Sequence, residues 1–373
     1  LVLTGGGTGG HVYPALAVVE AGRIASPELE CRWLGTQSGL ERAIVEKAKL
    51  PFAAIEAGAV RGRGPLAVLA GVSRNFRGLA QARRIMREFR PDVVLATGGF
   101  VCVPVVLAAR LAGVPSVVYL PDLRPGWAVQ FLSRFASAVA VSFDVVVPFI
   151  HAKRVEVTGY PVRAELHEWE LVAARQQLAL PLDRPVILGI GGSRGARSIN
   201  LGLATNPEEV LRRADVVHAT GAPNVAEVRE LVDRLPADLR ARYHVYPYLD
   251  AELAPAMAGA SVVVARAGAS TLGELPAAGV PGILVPYPHA GAHQQLNASF
   301  LADRGAVLVV DDQTAREGGL PSAIVKLLDA PDRLAAMAES ARRLARPDAA
   351  RRLFELLLDV ASARRASTNW RLA

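Results

Sequence analysis

The sequence predicts an α/β fold of two Rossmann-like, doubly wound domains, on three observations. Short β-branched, apolar runs alternate with helical stretches along nearly the whole chain. Several of these runs end in a turn of glycines and small residues that opens a helix. These turns are Gly5-Gly6-Gly7-Thr8-Gly9-Gly10-His11, Thr97-Gly98-Gly99-Phe100, Gly191-Gly192-Ser193-Arg194-Gly195-Ala196 and Arg266-Ala267-Gly268-Ala269-Ser270-Thr271. The same grammar then restarts after Gly159-Tyr160-Pro161, a turn-forming boundary. The expected divisions are a first domain over residues 1–158 and a second over 159–345. A terminal helix over 346–363 packs back on the first domain, and 364–373 forms a frayed tail.

Bulk properties narrow the function classes. The 373 residues suffice for two cores of ordinary size. Apolar residues make up 51%, yet no uncharged apolar run is long enough to span a bilayer. The chain opens on strand-like Leu1-Val2-Leu3 without Met or a signal peptide, so a few residues are expected to precede it. Two cysteines, Cys31 and Cys102, make no disulfide framework and read as small packing residues of a reducing cytosol. No Cys/His spacing suggests structural zinc, and no Asp-X-Asp pair sits where it would hold a metal beside a diphosphate. Net charge is +7, but the arginines are scattered over amphipathic helices rather than interleaved with aromatics, so nucleic acid is not an expected partner.

In chain order, Leu1 to Thr4 ends a strand, and the turn Gly5 to His11 with the helix from Val12 has the arrangement that cradles phosphate. Arg32 to Thr36 is the second strand. It carries no acidic residue at its end, which argues against NAD. Leu40 to Lys49 is a helix and Phe52 to Ile55 a strand. A helix from about Asn75 to Arg87 is rich in arginine, which fits an interface with anionic lipid or a core helix with a solvated face. Pro91 to Ala96, Pro115 to Tyr119 and Ala138 to Phe143 are strands, the last closing the first half, and Val155 to Arg163 joins the halves. His11 is a candidate general base, since imidazole titrates near neutrality; an N-cap or packing role is the alternative. Asp122, after the strand Pro115 to Tyr119, is a second candidate base, or else a polar side chain that takes another residue's place there.

The second half repeats strand, glycine turn and helix at Pro185 to Asn200. His218 reads as a core residue. Ala260 to Val264 is a buried strand, followed by small residues with Ser270 and Thr271 as candidate N-caps and Glu274 in the first helical turn. Such a helix start suits phosphate, and a carboxylate one turn on suits sugar hydroxyls. Gly282 to Pro286 is a strand that delivers His289, His293, Gln294 and Asn297. Asp311-Asp312 beyond it reads as a turn.

These residues resemble the MurG family across nearly the whole chain. The matches are Gly5 to His11 followed by Pro14-Ala15, the turn Gly191 to Ala196 with Asn200, Arg266 to Thr271 with Glu274, and Pro286 with His293-Gln294 and Asn297. The family transfers N-acetylglucosamine from UDP-GlcNAc to the lipid-linked muramyl-pentapeptide of peptidoglycan synthesis. The resemblance implies the GT-B arrangement of two domains facing a cleft, inversion at the anomeric carbon and no cofactor. It implies a peripheral enzyme on the cytoplasmic face of the plasma membrane, drawn to anionic lipid. For UDP-GlcNAc it implies Thr8, Gly9, Gly10, Arg163, Gly192, Ser193, Leu249, Ala269, Ser270, Thr271, Glu274, His293, Gln294 and Asn297. The acceptor side would comprise Gly98, Gly99, Phe100 and Asp122, with His11 and Asp122 as catalytic groups. For Arg163 a surface salt bridge is the alternative.

The chain departs from the family pattern at Phe100 and Cys102, where a hydroxyl that meets the acceptor is expected to be lost. It departs again at Leu120-Pro121-Asp122, where the family has His-Glu-Gln-Asn. These departures keep open a related transferase with another acceptor. A UDP-sugar 2-epimerase or a non-catalytic sensor on the same fold is the reading from another class.

Overall fold

A computed structural model describes residues 1–59, 64–192, 195–289 and 293–370. The chain divides into two compact units, Leu1–Arg163 together with Pro347–Ala373, and Ala164–Arg346.

In the first unit seven parallel strands are β1 (Val2–Thr4), β2 (Arg32–Gly35), β3 (Phe52–Ala54), β4 (Val94–Ala96), β5 (Ser116–Leu120), β6 (Ala138–Val141) and β7 (Val155–Val157). They lie in the order β3-β2-β1-β4-β5-β6-β7. The second unit has β8 (Val186–Ile190), β9 (Asp215–Ala219), β10 (Tyr243–Tyr246), β11 (Val262–Ala265), β12 (Gly282–Leu284) and β13 (Val307–Val309), also parallel, in the order β10-β9-β8-β11-β12-β13. Both are doubly wound α/β units. The central strands are short runs rich in Val, Ile, Leu and Ala and buried on both faces, as a parallel sheet covered by helices requires, while the edge strands β3, β7 and β10 are partly exposed. Register is regular: Leu3 pairs with Trp33 on one side and Leu95 on the other, and Val264 with Gly189 and Ile283.

This winding places the strand-order reversal between β1 and β4 in one unit and between β8 and β11 in the other. In open α/β sheets ligands bind beyond the carboxyl ends of the strands at that reversal. All four glycine turns named above leave these four strands.

Three sequence expectations need correction. Ala138–Val141 does not close the first sheet: Val155–Val157, read as a linker, is an additional edge strand with Val155 opposite Val139. Three residues are too few to show a period of two; pairing settles it. The arginine-rich helix runs Pro65–Phe89, starting ten residues earlier than expected. Proline fits its first turn. Gly71 sits within it because the chain at Gly58 crosses there, a Cβ on Gly58 falling 2.6 Å from the Gly71 Cα, and Asn75 brackets Gly58 with two hydrogen bonds of 2.8 and 3.1 Å. The last helix runs Ala349–Trp370 rather than stopping at residue 363, since no Gly or Pro interrupts it. Its Leu353, Phe354 and Leu357 enter the core of the first unit with Leu3, Val12 and Val18. Gly22 of the helix Gly9–Ala25 allows this approach, because a Cβ there would lie 2.7 Å from the Phe354 ring.

Candidate active site

In the first unit the two glycine turns lie against each other. The Gly6 amide donates to the Gly98 carbonyl at 3.2 Å and the Thr97 amide to the Thr4 carbonyl at 2.9 Å. Gly99 has φ +87°, and a Cβ there would stand 2.6 Å from the Gly6 carbonyl oxygen, so both conformation and space demand glycine. The Thr97 hydroxyl donates to the backbone carbonyl of His11.

His11 is half-buried in the first turn of the helix Gly9–Ala25. Its Nδ1 lies 2.9 Å from the Gly6 carbonyl and 3.5 Å from the Thr8 hydroxyl. A carbonyl only accepts, so Nδ1 carries a proton, and the neutral tautomer this selects has its lone pair on Nε2. The Cδ2–Nε2 edge faces Gly98, where a Cβ would approach to 2.7 and 2.8 Å. Thr8 itself makes no side-chain cap. Gly9 and Gly10 start the helix, and the Gly10 carbonyl accepts from the Tyr160 hydroxyl at 3.3 Å. Arg163 lies with its guanidinium 5.2 Å from the Tyr13 ring centroid. Thr8, Gly9, Gly10 and Arg163, named for the donor, thus all belong to the first unit.

Glu41 was missed in the sequence. Its side chain is almost fully buried beneath the first turn. Oε1 accepts from the Thr36 amide at 2.9 Å and hydroxyl at 2.6 Å, and Oε2 faces the Gly7 amide at 3.4 Å. Cβ atoms on Gly6 and Gly35 would meet it within about 3 Å. A carboxylate therefore already occupies the underside of this phosphate-like cradle. The signal was a Glu in the first turn of Leu40–Lys47, next to two glycines.

Asp122 is half-buried beyond the end of β5, close enough for its charge to act on Tyr119. Burial pushes the Tyr119 phenol up, the hydrogen bond with Ser142 at 2.7 Å opposes this, and the Asp122 carboxylate adds to the rise. Phe100 is exposed, whereas Cys102 is buried with its thiol 3.0 Å from the Gly98 carbonyl. Burial raises that thiol to about 12. Cys102 therefore points inward, and its position is not one where a hydroxyl would meet an acceptor.

In the second unit Gly192 has φ +77°, and Gly268 has open space where its Cβ would be, so both turns leave room for a ligand among the described residues. Ser193 lies outside the described residues. Asn200, in the helix Arg197–Ala204, donates to the Thr220 carbonyl at 2.8 Å and accepts from His218 Nε2 at 3.1 Å. His218 Nδ1 accepts from the Tyr243 hydroxyl at 2.8 Å. Burial lowers the His218 pKa to about 3, so this histidine is a neutral core group.

Ala269, Ser270 and Thr271 lead into the helix Thr271–Ala278. Neither expected cap forms. Ser270 makes no side-chain cap bond, and the Thr271 hydroxyl donates backward to the Arg266 carbonyl at 2.9 Å. The Thr271, Leu272 and Gly273 amides donate to the Gly268, Ala269 and Ser270 carbonyls at 3.1, 3.2 and 3.0 Å, so what the helix start offers an anion is the positive end of its dipole and the turn before it, with Glu274 half-buried on the first turn. Leu249 is buried beyond β10. Gln294 accepts from the Tyr287 amide at 2.8 Å. Asn297 is buried and donates to the Ala267 carbonyl at 3.1 Å, holding the turn from behind. His293 opens the helix His293–Asp303, and its Nδ1 is buried without a hydrogen-bond partner among the described residues. A ligand acceptor or donor there would satisfy it. Asp311 caps the helix Asp312–Arg316 through the Thr314 amide at 2.8 Å, and Asp312 is an ion-pair partner rather than part of a simple turn. Among the described residues no group of His, Cys, Asp and Glu is placed to hold a metal.

Two doubly wound parallel sheets, each with glycine turns at its strand-order reversal, are the architecture of the nucleotide-sugar glycosyltransferases. Residues 1–141 match the glycosyltransferase family 28 N-terminal domain, and residues 186–353 match the family's C-terminal domain. Two relatives carry the name UDP-N-acetylglucosamine–N-acetylmuramyl-(pentapeptide) pyrophosphoryl-undecaprenol N-acetylglucosamine transferase. That of Roseiflexus sp. (strain RS-1) is 41% identical over 95% of this chain and 93% of its own length. That of Desulforudis audaxviator (strain MP104C) is 40% identical over 96% and 97%. The crystal structure of Acinetobacter baumannii MurG superposes with a TM-score of 0.74 at 30% identity, covering 96% of this chain and 99% of that one. UDP-GlcNAc 2-epimerase from Neisseria meningitidis, at 16% identity and TM-score 0.66, shares the fold. The chain belongs to glycosyltransferase family 28, as a member of its MurG family.

Proposed function

We propose that this protein transfers N-acetylglucosamine, with inversion, from UDP-GlcNAc to undecaprenyl-pyrophosphoryl-MurNAc-pentapeptide. The observation that carries the reading is the His11 ring, whose Nδ1 is engaged by the Gly6 carbonyl so that Nε2 is the basic nitrogen. His11 Nε2 takes the proton from the acceptor hydroxyl as its oxygen attacks the anomeric carbon. The bond from that carbon to the UDP oxygen breaks, and the electron pair leaves with UDP. The second unit holds the donor. Backbone amides of the turn 268–270 and the positive end of the helix Thr271–Ala278 offset the charge growing on the diphosphate. Glu274 holds the ribose hydroxyls, His293 and Gln294 the sugar, and the backbone at Leu249 the uracil. Gly98, Gly99, Phe100 and Asp122 line the acceptor side. These groups act without a metal.

The enzyme works at the cytoplasmic membrane face. Among the described residues no helix is long and apolar enough to cross a membrane. The helix Pro65–Phe89 instead exposes Leu69, Val72 and Phe76 beside the exposed Arg74, and Val72 and Phe76 line an apolar groove with Leu79 and Leu107. Such a face suits insertion among acyl chains with arginine at anionic headgroups.

The test is to incubate the enzyme with UDP-GlcNAc, with and without the muramyl lipid, and follow UDP and labelled lipid. UDP release that requires the muramyl lipid is the expected result. Labelled product on a different acceptor only would reject this reading in favour of a related transferase, for which the exposed Phe100 and the Tyr119 to Asp122 segment speak.

A further inference from the structure

We propose that Asp312 is a positioning residue of the donor site, acting through Arg266 and Ser198; this rests on the reading of the second unit as the donor holder. Asp312 is the first residue of the helix Asp312–Arg316, and its side chain is only 9% exposed. Its Oδ1 accepts from Arg266 Nη1 at 2.6 Å and from the Ser198 hydroxyl at 2.5 Å. Its Oδ2 pairs with Arg316 Nε at 3.0 Å. Burial works against the charge, but Ser198, Arg266 and Arg316 together hold the carboxyl below its usual range.

Arg266 carries the connection onward. It donates to the Ser198 hydroxyl at 2.8 Å and to the Val285 carbonyl at 3.0 Å, and its guanidinium lies 5.3 Å from the Tyr287 ring centroid. Its own carbonyl holds the Thr271 hydroxyl. The partners therefore come from the segments leaving four strands. Ser198 follows the turn after β8, Arg266 follows β11, Val285 and Tyr287 follow β12, and Asp312 follows β13. A ligand at the β8/β11 reversal rests on the first three of these segments. One carboxylate thus sets the register of the turns that would grip the diphosphate and the sugar.

An ion pair this buried is weak evidence for stability, because desolvation offsets much of the attraction. Its attested use is geometric specification. Removal of the carboxylate leaves the Arg266 guanidinium facing carbonyl and hydroxyl groups alone. The side chain then turns outward and releases Ser198, and the turn 266–271, no longer anchored through the guanidinium, loosens at the start of the helix Thr271–Ala278.

The experiment compares the intact protein with Asp312→Asn, Arg266→Met and the double variant, in two readouts. In calorimetry with UDP, each single variant weakens binding about tenfold, and the double variant is no weaker than the worse single one, as coupled groups behave. The KM for UDP-GlcNAc rises while the KM for the lipid acceptor stays put. In the ligand-free protein, amide hydrogen exchange over 197–200 and 268–273 speeds up in Asp312→Asn and not elsewhere. Ser198→Ala, which removes only the bridging hydroxyl, gives the same exchange pattern at smaller amplitude. Additive losses, or a lowered melting temperature with unchanged UDP affinity and unchanged local exchange, would overturn the proposal. If the unsubstituted protein binds no UDP, the donor reading fails on its own, and the exchange measurement still decides whether Asp312 holds these turns.

Discussion

The two units share one winding and one loop position, yet their loops are built for different work. At the β1/β4 reversal the turn is closed from within. Glu41 fills its underside, and the Gly6 carbonyl takes up His11 Nδ1. At the β8/β11 reversal Asn297 and Arg266 hold the turn from behind; among the described residues Gly192 and Gly268 have open space at their Cβ positions, as Gly7 has in the first unit. The lesson is that the fold supplies a place for function and the side chains behind each turn decide its chemistry. The first unit presents the His11 ring and the second the start of the helix Thr271–Ala278. The difference lies in what stands behind each turn: a buried carboxylate in the first unit, a side-chain amide and a guanidinium in the second.

The contrast breaks first at His11. His11→Ala is expected to lower turnover by roughly 10²- to 10⁴-fold, the range of general-base catalysis, in a steady-state assay with the muramyl lipid. Loss of less than about threefold would remove the base from the first unit. Next in size, Glu274→Ala is expected to raise the KM for UDP-GlcNAc about 10-fold or more, the worth of a charge-assisted hydrogen bond, with a smaller change in kcat.

How much of this was legible in the sequence follows from how local each signal is. The glycine turns, the strands before them and His11 are written in consecutive residues. Glu41, Asp312 and the inward thiol of Cys102 are not, because their partners lie across space. Asp312 meets Ser198 at a separation of 114 residues. Asn297 is assigned to ligand by motif, and the structure adds that its side-chain amide donates to the Ala267 carbonyl. Nearby, His293 has a buried Nδ1 with no hydrogen-bond partner among the described residues. Helix caps at Ser270 and Thr271 were expected from residue type, and the Arg266 carbonyl took the Thr271 hydroxyl instead.

Smaller effects sharpen the same contrast. Glu41→Gln puts an amide donor against the Gly7 or Thr36 N–H, and is expected to cost about 1–3 kcal/mol in denaturant unfolding while lowering turnover. Unchanged stability would mean that Glu41 does not hold the first turn. His218 bears on the second unit's core. Its folded pKa of about 3 lies below the unfolded value of 6.5, so the unfolded chain binds more protons between them. Its stabilisation is complete above pH 6.5 and is lost as the pH falls from there toward 3. The slope contributed is about 1.4 kcal/mol per pH unit at most. His218→Gln is expected to flatten the acid limb of a stability–pH curve by that amount, and an identical limb would contradict the buried neutral ring. Smallest of all, Cys31 and Cys102 are buried with raised pKa values, so the native protein is expected to titrate no thiol with a disulfide reagent near neutral pH, and both after unfolding.

The division of labour itself is tested most directly by titrating UDP calorimetrically into His11→Ala and Glu274→Ala side by side. The account predicts unsubstituted affinity in His11→Ala, whose turnover is lost, and weakened binding in Glu274→Ala. The reverse pattern, with UDP affinity lost at His11 and kept at Glu274, would contradict it.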